Sequence, residues 1–122
     1  MKFNKYDIVY IRNFSGSTGS MQHFDRPAII LQNNKGNTFS NTTIVAFITS
    51  NTKRKDIPTH VLLEGYKLWK PSMVMLEQIF TIDKSLIVEK IDTLRQEDRI
   101  KVDAAMLVSL GCIPIESRRM YA

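Results

Sequence analysis

The run Thr42-Thr43-Ile44-Val45-Ala46-Phe47-Ile48-Thr49 limits what this chain can fold into. Every residue in it except Ala46 is β-branched or aromatic. Side chains branched at Cβ lose rotamer freedom in a helix and pack well on a pleated surface, so the run predicts a strand. A strand needs partners for its backbone N–H and C=O groups. The chain offers several. Ile8-Val9-Tyr10-Ile11 marks a strand within Asp7 to Asn13, and Ala28-Ile29-Ile30-Leu31 one within Pro27 to Gln32. The second is apolar without interruption, as a strand buried on both faces is. Thr59 to Leu63, Ser72 to Leu76 and Ile79 to Ile82 read as further strands, with Pro58 and Pro71 at strand entrances.

Between these runs lie breakers. Phe14 to Asp25 holds Ser15, Gly16, Ser17, Thr18, Gly19 and Ser20 and reads as a flexible loop. Asn33-Asn34-Lys35-Gly36-Asn37 reads as a turn, and Lys53-Arg54-Lys55-Asp56 as a charged loop. Thr93-Leu94-Arg95-Gln96 has capping-box spacing and predicts a helix opening at Thr93. Its apolar stripe would be Ile100, Ala104, Leu107 and Val108, with Gly111 as the C-terminal cap. Short strands followed by one helix give an α+β class, a small barrel with the helix packed on it.

The length, 122 residues, fits one domain over 1–122. A net charge of +5 favours an anionic partner: RNA, DNA or an acidic protein tail. One cysteine, Cys112, excludes an internal disulfide and reads as a small apolar filler. The N-terminus lacks the apolar core of a signal peptide, and no apolar run is long enough to span a bilayer. A cytoplasmic protein with no membrane association is expected. His23 and His60 belong to no metal motif, so no metal or other cofactor is expected.

Three segments stand out together: Gly19-Ser20-Met21-Gln22-His23-Phe24-Asp25-Arg26-Pro27, Ala46-Phe47-Ile48-Thr49-Ser50, and Leu76-Glu77-Gln78-Ile79-Phe80-Thr81-Ile82-Asp83-Lys84. With Arg26 to Asn33 and Pro58-Thr59-His60-Val61, in this order and spacing, the sequence resembles the MazF/PemK family of bacterial toxins. The likeness runs from about Tyr6 to about Gly111. It implies a small, twisted SH3-like β-barrel with a C-terminal helix, the fold also used by gyrase-poisoning toxins, assembled as a homodimer. It implies sequence-specific, metal-independent cleavage of single-stranded RNA to a 2′,3′-cyclic phosphate and a 5′-hydroxyl. A cognate antitoxin with an acidic, partly disordered tail would cover the RNA groove.

The resemblance assigns Arg26 and Thr49 as the catalytic pair. A guanidinium suits two-point grip on phosphate oxygens, and a threonine hydroxyl can donate to the same oxygens. Guanidinium holds its proton too strongly for acid–base work, so charge stabilisation is the expected role of Arg26. Phe14, Ser20, Gln22, His23, Phe24, Ser50, Glu77 and Gln78 are the expected substrate contacts. Among them Phe14 and Phe24 are candidates to stack bases and His23 to titrate near neutrality. Glu77 suits a base contact or a structural acceptor. Trp69 is expected to be a partly buried structural residue or a dimer or partner contact. Lys53, Arg54 and Lys55 are candidates to track the RNA backbone.

This sequence departs from the family pattern at three places. Met21 stands where Glu is usual, Phe24 near a usual Gly, and Phe80 where Arg is usual. Two alternative functions accompany the nuclease reading. One is a family member that binds RNA or antitoxin without cutting. The other is a gyrase inhibitor of the same fold.

Overall fold

The computed structural model describes residues 2–12 and 25–121. Six strands form one antiparallel sheet: β1 (Asp7–Ile11), β2 (Arg26–Ile30), β3 (Thr42–Thr49), β4 (His60–Leu63), β5 (Ser72–Asp83) and β6 (Ile87–Thr93). Their order across the sheet is β4-β5-β3-β2-β1-β6. Among the described residues the other elements are the helices α1 (Asn34–Phe39) and α2 (Gln96–Ser109) and 3₁₀ turns at Lys84–Leu86 and Ile115–Tyr121.

Both faces of the sheet are covered, which is why its central strands carry unbroken apolar runs. On one face Ile8, Ile29, Ala46, Ile48, Val61, Leu63, Val74 and Leu76 meet Val102 and Ala105 of α2. On the other face Val9, Ile11, Ala28, Ile30, Val45 and Phe47 gather with Met75, Ile82, Ile87 and Phe3. Neighbouring residues of β1, β2 and β3 thus alternate between two cores, as the two-residue period of a strand demands. Register shifts interrupt the β1–β6 and β3–β5 ladders. Such irregularities bend strands toward a barrel. The sheet itself stays open, with β4 and β6 at its ends.

The strand expected over Thr42 to Thr49 spans those residues. Elsewhere the structure corrects the sequence reading. Ser72–Asp83 is one strand, where two were expected. The expected break falls on a real irregularity, because the β3–β5 register passes from Ala46↔Ile79 to Ile48↔Val74. Met75 to Gln78 must bulge opposite Phe47, which bends β5 without ending it. Asn33 to Asn37 is not a simple turn. Asn33 caps α1 by accepting from the Gly36 N–H at 2.8 Å. Buried Asn37 accepts from Gln32 Nε2 at 3.1 Å and Thr43 Oγ1 at 2.7 Å.

The helix also starts later than its sequence suggests. Thr93 ends β6, and its hydroxyl donates to Asp7 Oδ1 at 2.9 Å instead of capping α2. Arg95 occupies the N-cap without a side-chain cap bond. Glu97 and Asp98 in the first turn suit the positive end of the helix dipole. The inward face is Asp98, Val102, Ala104 and Ala105, whereas Ile100 and Leu107 of the expected stripe are exposed. Gly111 does cap the C-terminus, at φ +74°, its N–H donating to Val108 O at 3.0 Å. Cys112 is exposed and fills no core. No helix among the described residues is long and apolar enough to cross a membrane.

Candidate active site

Arg26 opens β2 and Thr49 closes β3. The β2–β3 register pairs Ala28 with Phe47. Continued by two residues, it sets Arg26 opposite Thr49, and strand alternation puts both on the face that carries Phe47. The Arg26 guanidinium carbon lies 4.1 Å from the centre of the Phe47 ring. That is cation–π distance. Phe47 in turn leans on Phe80, with centroids 5.1 Å apart and planes at 57°. An apolar shelf thus fixes a cation at the rim of the sheet.

At this rim lies a cleft of about 350 Å³ lined by Arg26, Pro27, Thr49, Ser50, Trp69 and Lys70, among others. Thr49 Oγ1 accepts from the Asn51 N–H at 3.2 Å. That bond uses a lone pair and leaves the hydroxyl proton to donate into the cleft. The arrangement therefore offers a fixed guanidinium, a hydroxyl donor and a second cation around one space, a set suited to an anionic oxygen cluster.

Glu77 and Gln78 sit apart from this cleft, on the bulged part of β5. Glu77 accepts from Thr59 Oγ1 at 2.9 Å and contacts His60 Nε2 at 2.8 Å. The other His60 nitrogen faces Arg54 O at 3.0 Å. Burial acts to raise the Glu77 pKa. Hydrogen bonds from His60, its own backbone and Thr59 outweigh that and hold it below the ordinary carboxylate value. Glu77 thus acts as a structural acceptor in this structure. A larger cavity, about 400 Å³, borders β4 and includes Lys55, His60, Lys101, Arg118 and Arg119. It contains neither Arg26 nor Thr49. The smaller cleft is the better candidate, since only it joins a fixed cation to an available hydroxyl donor.

Residues 4–110 match the family of PemK-like, MazF-like toxins of type II toxin–antitoxin systems. The chain belongs to that family. It is 46% identical over 105 residues to an endoribonuclease MazF of Staphylococcus epidermidis, covering 84% of this chain and 88% of the relative. The fold matches MazF in a MazE–MazF crystal structure from Deinococcus radiodurans, with TM-score 0.78 at 19% identity, covering 93% of this chain and 99% of that one. It also matches an endoribonuclease bound to its cognate antitoxin from a mycobacterial species, with TM-score 0.74 at 19% identity, covering 90% and 96%.

In this MazF-like toxin, Arg26, Thr49 and Ser50 line one cleft. Phe14, Ser20, Gln22, His23 and Phe24 fall outside the described residues, as does Met21. Of the basic loop, Arg54 is paired with Asp56 at 3.1 Å, while Lys53 and Lys55 are exposed. Phe80, in the place of the family's usual Arg, packs on Phe47 and stays 42% exposed. Trp69 was not among the expected substrate contacts. It is 95% exposed, which excludes the partly buried role within one chain and suits the partner-surface alternative, and it borders the Arg26 cleft. Its flanking Lys67, Lys70 and Pro71 were the only local signal of a surface position.

Proposed function

We propose that this chain is an endoribonuclease that cleaves single-stranded RNA at specific sequences without a metal ion. The substrate's own 2′-hydroxyl attacks the adjacent phosphorus. The bond to the 5′-oxygen breaks, leaving a 2′,3′-cyclic phosphate and a 5′-hydroxyl. Charge builds on the non-bridging oxygens during that displacement. Arg26, steadied on Phe47, neutralises it, and Thr49 donates a hydrogen bond to the same oxygens. The observation that carries this reading is the meeting of Arg26 and Thr49 in one cleft of a chain that belongs to a toxin family.

The toxin acts as a homodimer in the cytoplasm, and a cognate antitoxin with an acidic segment silences it by covering the basic groove. The experiment is a digest of end-labelled RNA of varied sequence by the purified chain, with EDTA present. Cutting at a defined motif, with cyclic phosphate and 5′-hydroxyl ends, is expected. Binding without any cutting would point to the non-catalytic reading. Inhibition of gyrase supercoiling with intact RNA would point to the third.

A further inference from the structure

We propose that Trp69 is a stacking platform for a base of single-stranded RNA beside the phosphate held by Arg26, with Lys70 contacting the neighbouring backbone. This rests on the RNA-cleaving reading above and names a specificity-determining residue of the same site.

The indole is 95% exposed, yet the segment that carries it is anchored on both sides. The Tyr66 hydroxyl donates to Asp98 and accepts from the Arg95 N–H at 2.9 Å. Arg95 lies 4.1 Å over the Tyr66 ring and donates to Glu64 O at 2.6 Å. The Lys67 N–H donates to Asp92 Oδ2 at 2.9 Å, and Leu68 packs against the core beneath α2. Beyond the indole, Ser72 Oγ donates to Lys70 O at 2.8 Å. Trp69 is therefore presented on a fixed arch. Holding a large aromatic in water on a rigid support lowers the entropy cost when a planar ligand settles on it.

The surroundings select the ligand. Trp69 and Lys70 line the same cleft as Arg26 and Thr49. An exposed π-face sharing one cleft with two cations fits a chain of alternating bases and phosphates. A second copy of this chain fits poorly, because a two-fold contact centred on Trp69 would bring Lys67 and Lys70 against their own equivalents.

Trp69 is the only tryptophan in the sequence, so its fluorescence reports this position alone. The probe is an oligonucleotide of the chain's own cut site, mapped from its products, with the attacking 2′-hydroxyl replaced by hydrogen. Titration should quench the indole to saturation. Removing one stacking partner should weaken binding roughly 5- to 150-fold in Trp69→Ala. KM should rise while kcat stays nearly constant, and Trp69→Phe should keep most of the affinity. Specific cutting by wild type with no quenching, and an unchanged KM in Trp69→Ala, would overturn the stacking role and leave the nuclease reading standing. A dimer that becomes a monomer in Trp69→Ala would also overturn it, by assigning the indole to an interface between copies. Absence of both binding and cutting by wild type on every sequence would overturn the two readings together.

Discussion

Arg26 lies over the face of Phe47, its guanidinium carbon 4.1 Å from the ring centre. The ring is 2% exposed, so the cation rests on the edge of the core and does not swing free in solvent. Phe80 leans on the same ring. The position that usually carries Arg in this family here supplies part of the shelf under another arginine.

Shortening that shelf should misplace the charge. Cation–π contacts contribute about 0.5–2 kcal/mol, so Phe80→Ala, acting through Phe47, should lower kcat by roughly 2- to 30-fold. KM should change little if Arg26 works mainly in the transition state. Steady-state kinetics on a fluorogenic RNA, beside a thermal melt, separates this from reduced stability. A kcat equal to wild type would show that Phe80 does not position Arg26.

The second prediction concerns alkaline stability. Burial, with hydrogen bonds to Asp103 and Asp98, pushes the pKa of Tyr6 and of Tyr66 up to about 12. An unfolded tyrosine ionises near 10. The folded state therefore keeps protons that the unfolded state has given up. The contribution is whole below pH 10 and disappears as pH rises toward 12. Urea unfolding at pH 8, 10 and 11.5 should show stability falling across that window, and falling less in Tyr66→Phe. At pH 8 that variant should itself be about 1–3 kcal/mol less stable, since Asp98 loses a donor while it remains buried. Parallel curves for the two proteins over the whole range would contradict the assignment.

How much of the fold is legible in the sequence follows from burial. The runs in β1, β2 and β3 are readable because strands covered on both faces carry apolar residues at every position. The edge strand β6 is not, since Val88, Glu89 and Lys90 face solvent and break any regular alternation. The start of α2 is hidden because Thr93 has a partner 86 residues away, Asp7, that local sequence cannot reveal. Arg26 and Thr49 were found through family resemblance, and the register explains why they meet. The Arg26–Phe47 contact depends on a cross-strand pairing. The exposure of Trp69 depends on bonds from β6 and α2 to its loop. The first has no signature in nearby residues, and the second has only the flanking Lys67, Lys70 and Pro71.

The basic loop gives a third prediction. Arg54 is already paired with Asp56, so Lys53 and Lys55 are the cations of that loop left to meet a backbone. Each lysine removed from a phosphate should flatten the log–log salt dependence of RNA binding by roughly 0.7. Lys53→Ala with Lys55→Ala should reduce the slope, and Arg54→Ala should change it less. A slope untouched by the double substitution would place the RNA path away from this loop.

Charge stabilisation by Arg26 at the scissile phosphate is tested most directly by a time course of cleavage on one labelled RNA carrying the mapped site. Wild type, Arg26→Ala and Arg26→Lys are compared at equal concentration, after a melt and light scattering confirm that fold and assembly are shared. Removing a preorganised donor of this kind slows chemistry by about 10²- to 10³-fold. Arg26→Ala should fall by at least that much. Arg26→Lys should recover only part of the rate, because an ammonium lacks the planar two-point geometry. Cleavage by Arg26→Ala at the wild-type rate would contradict the account.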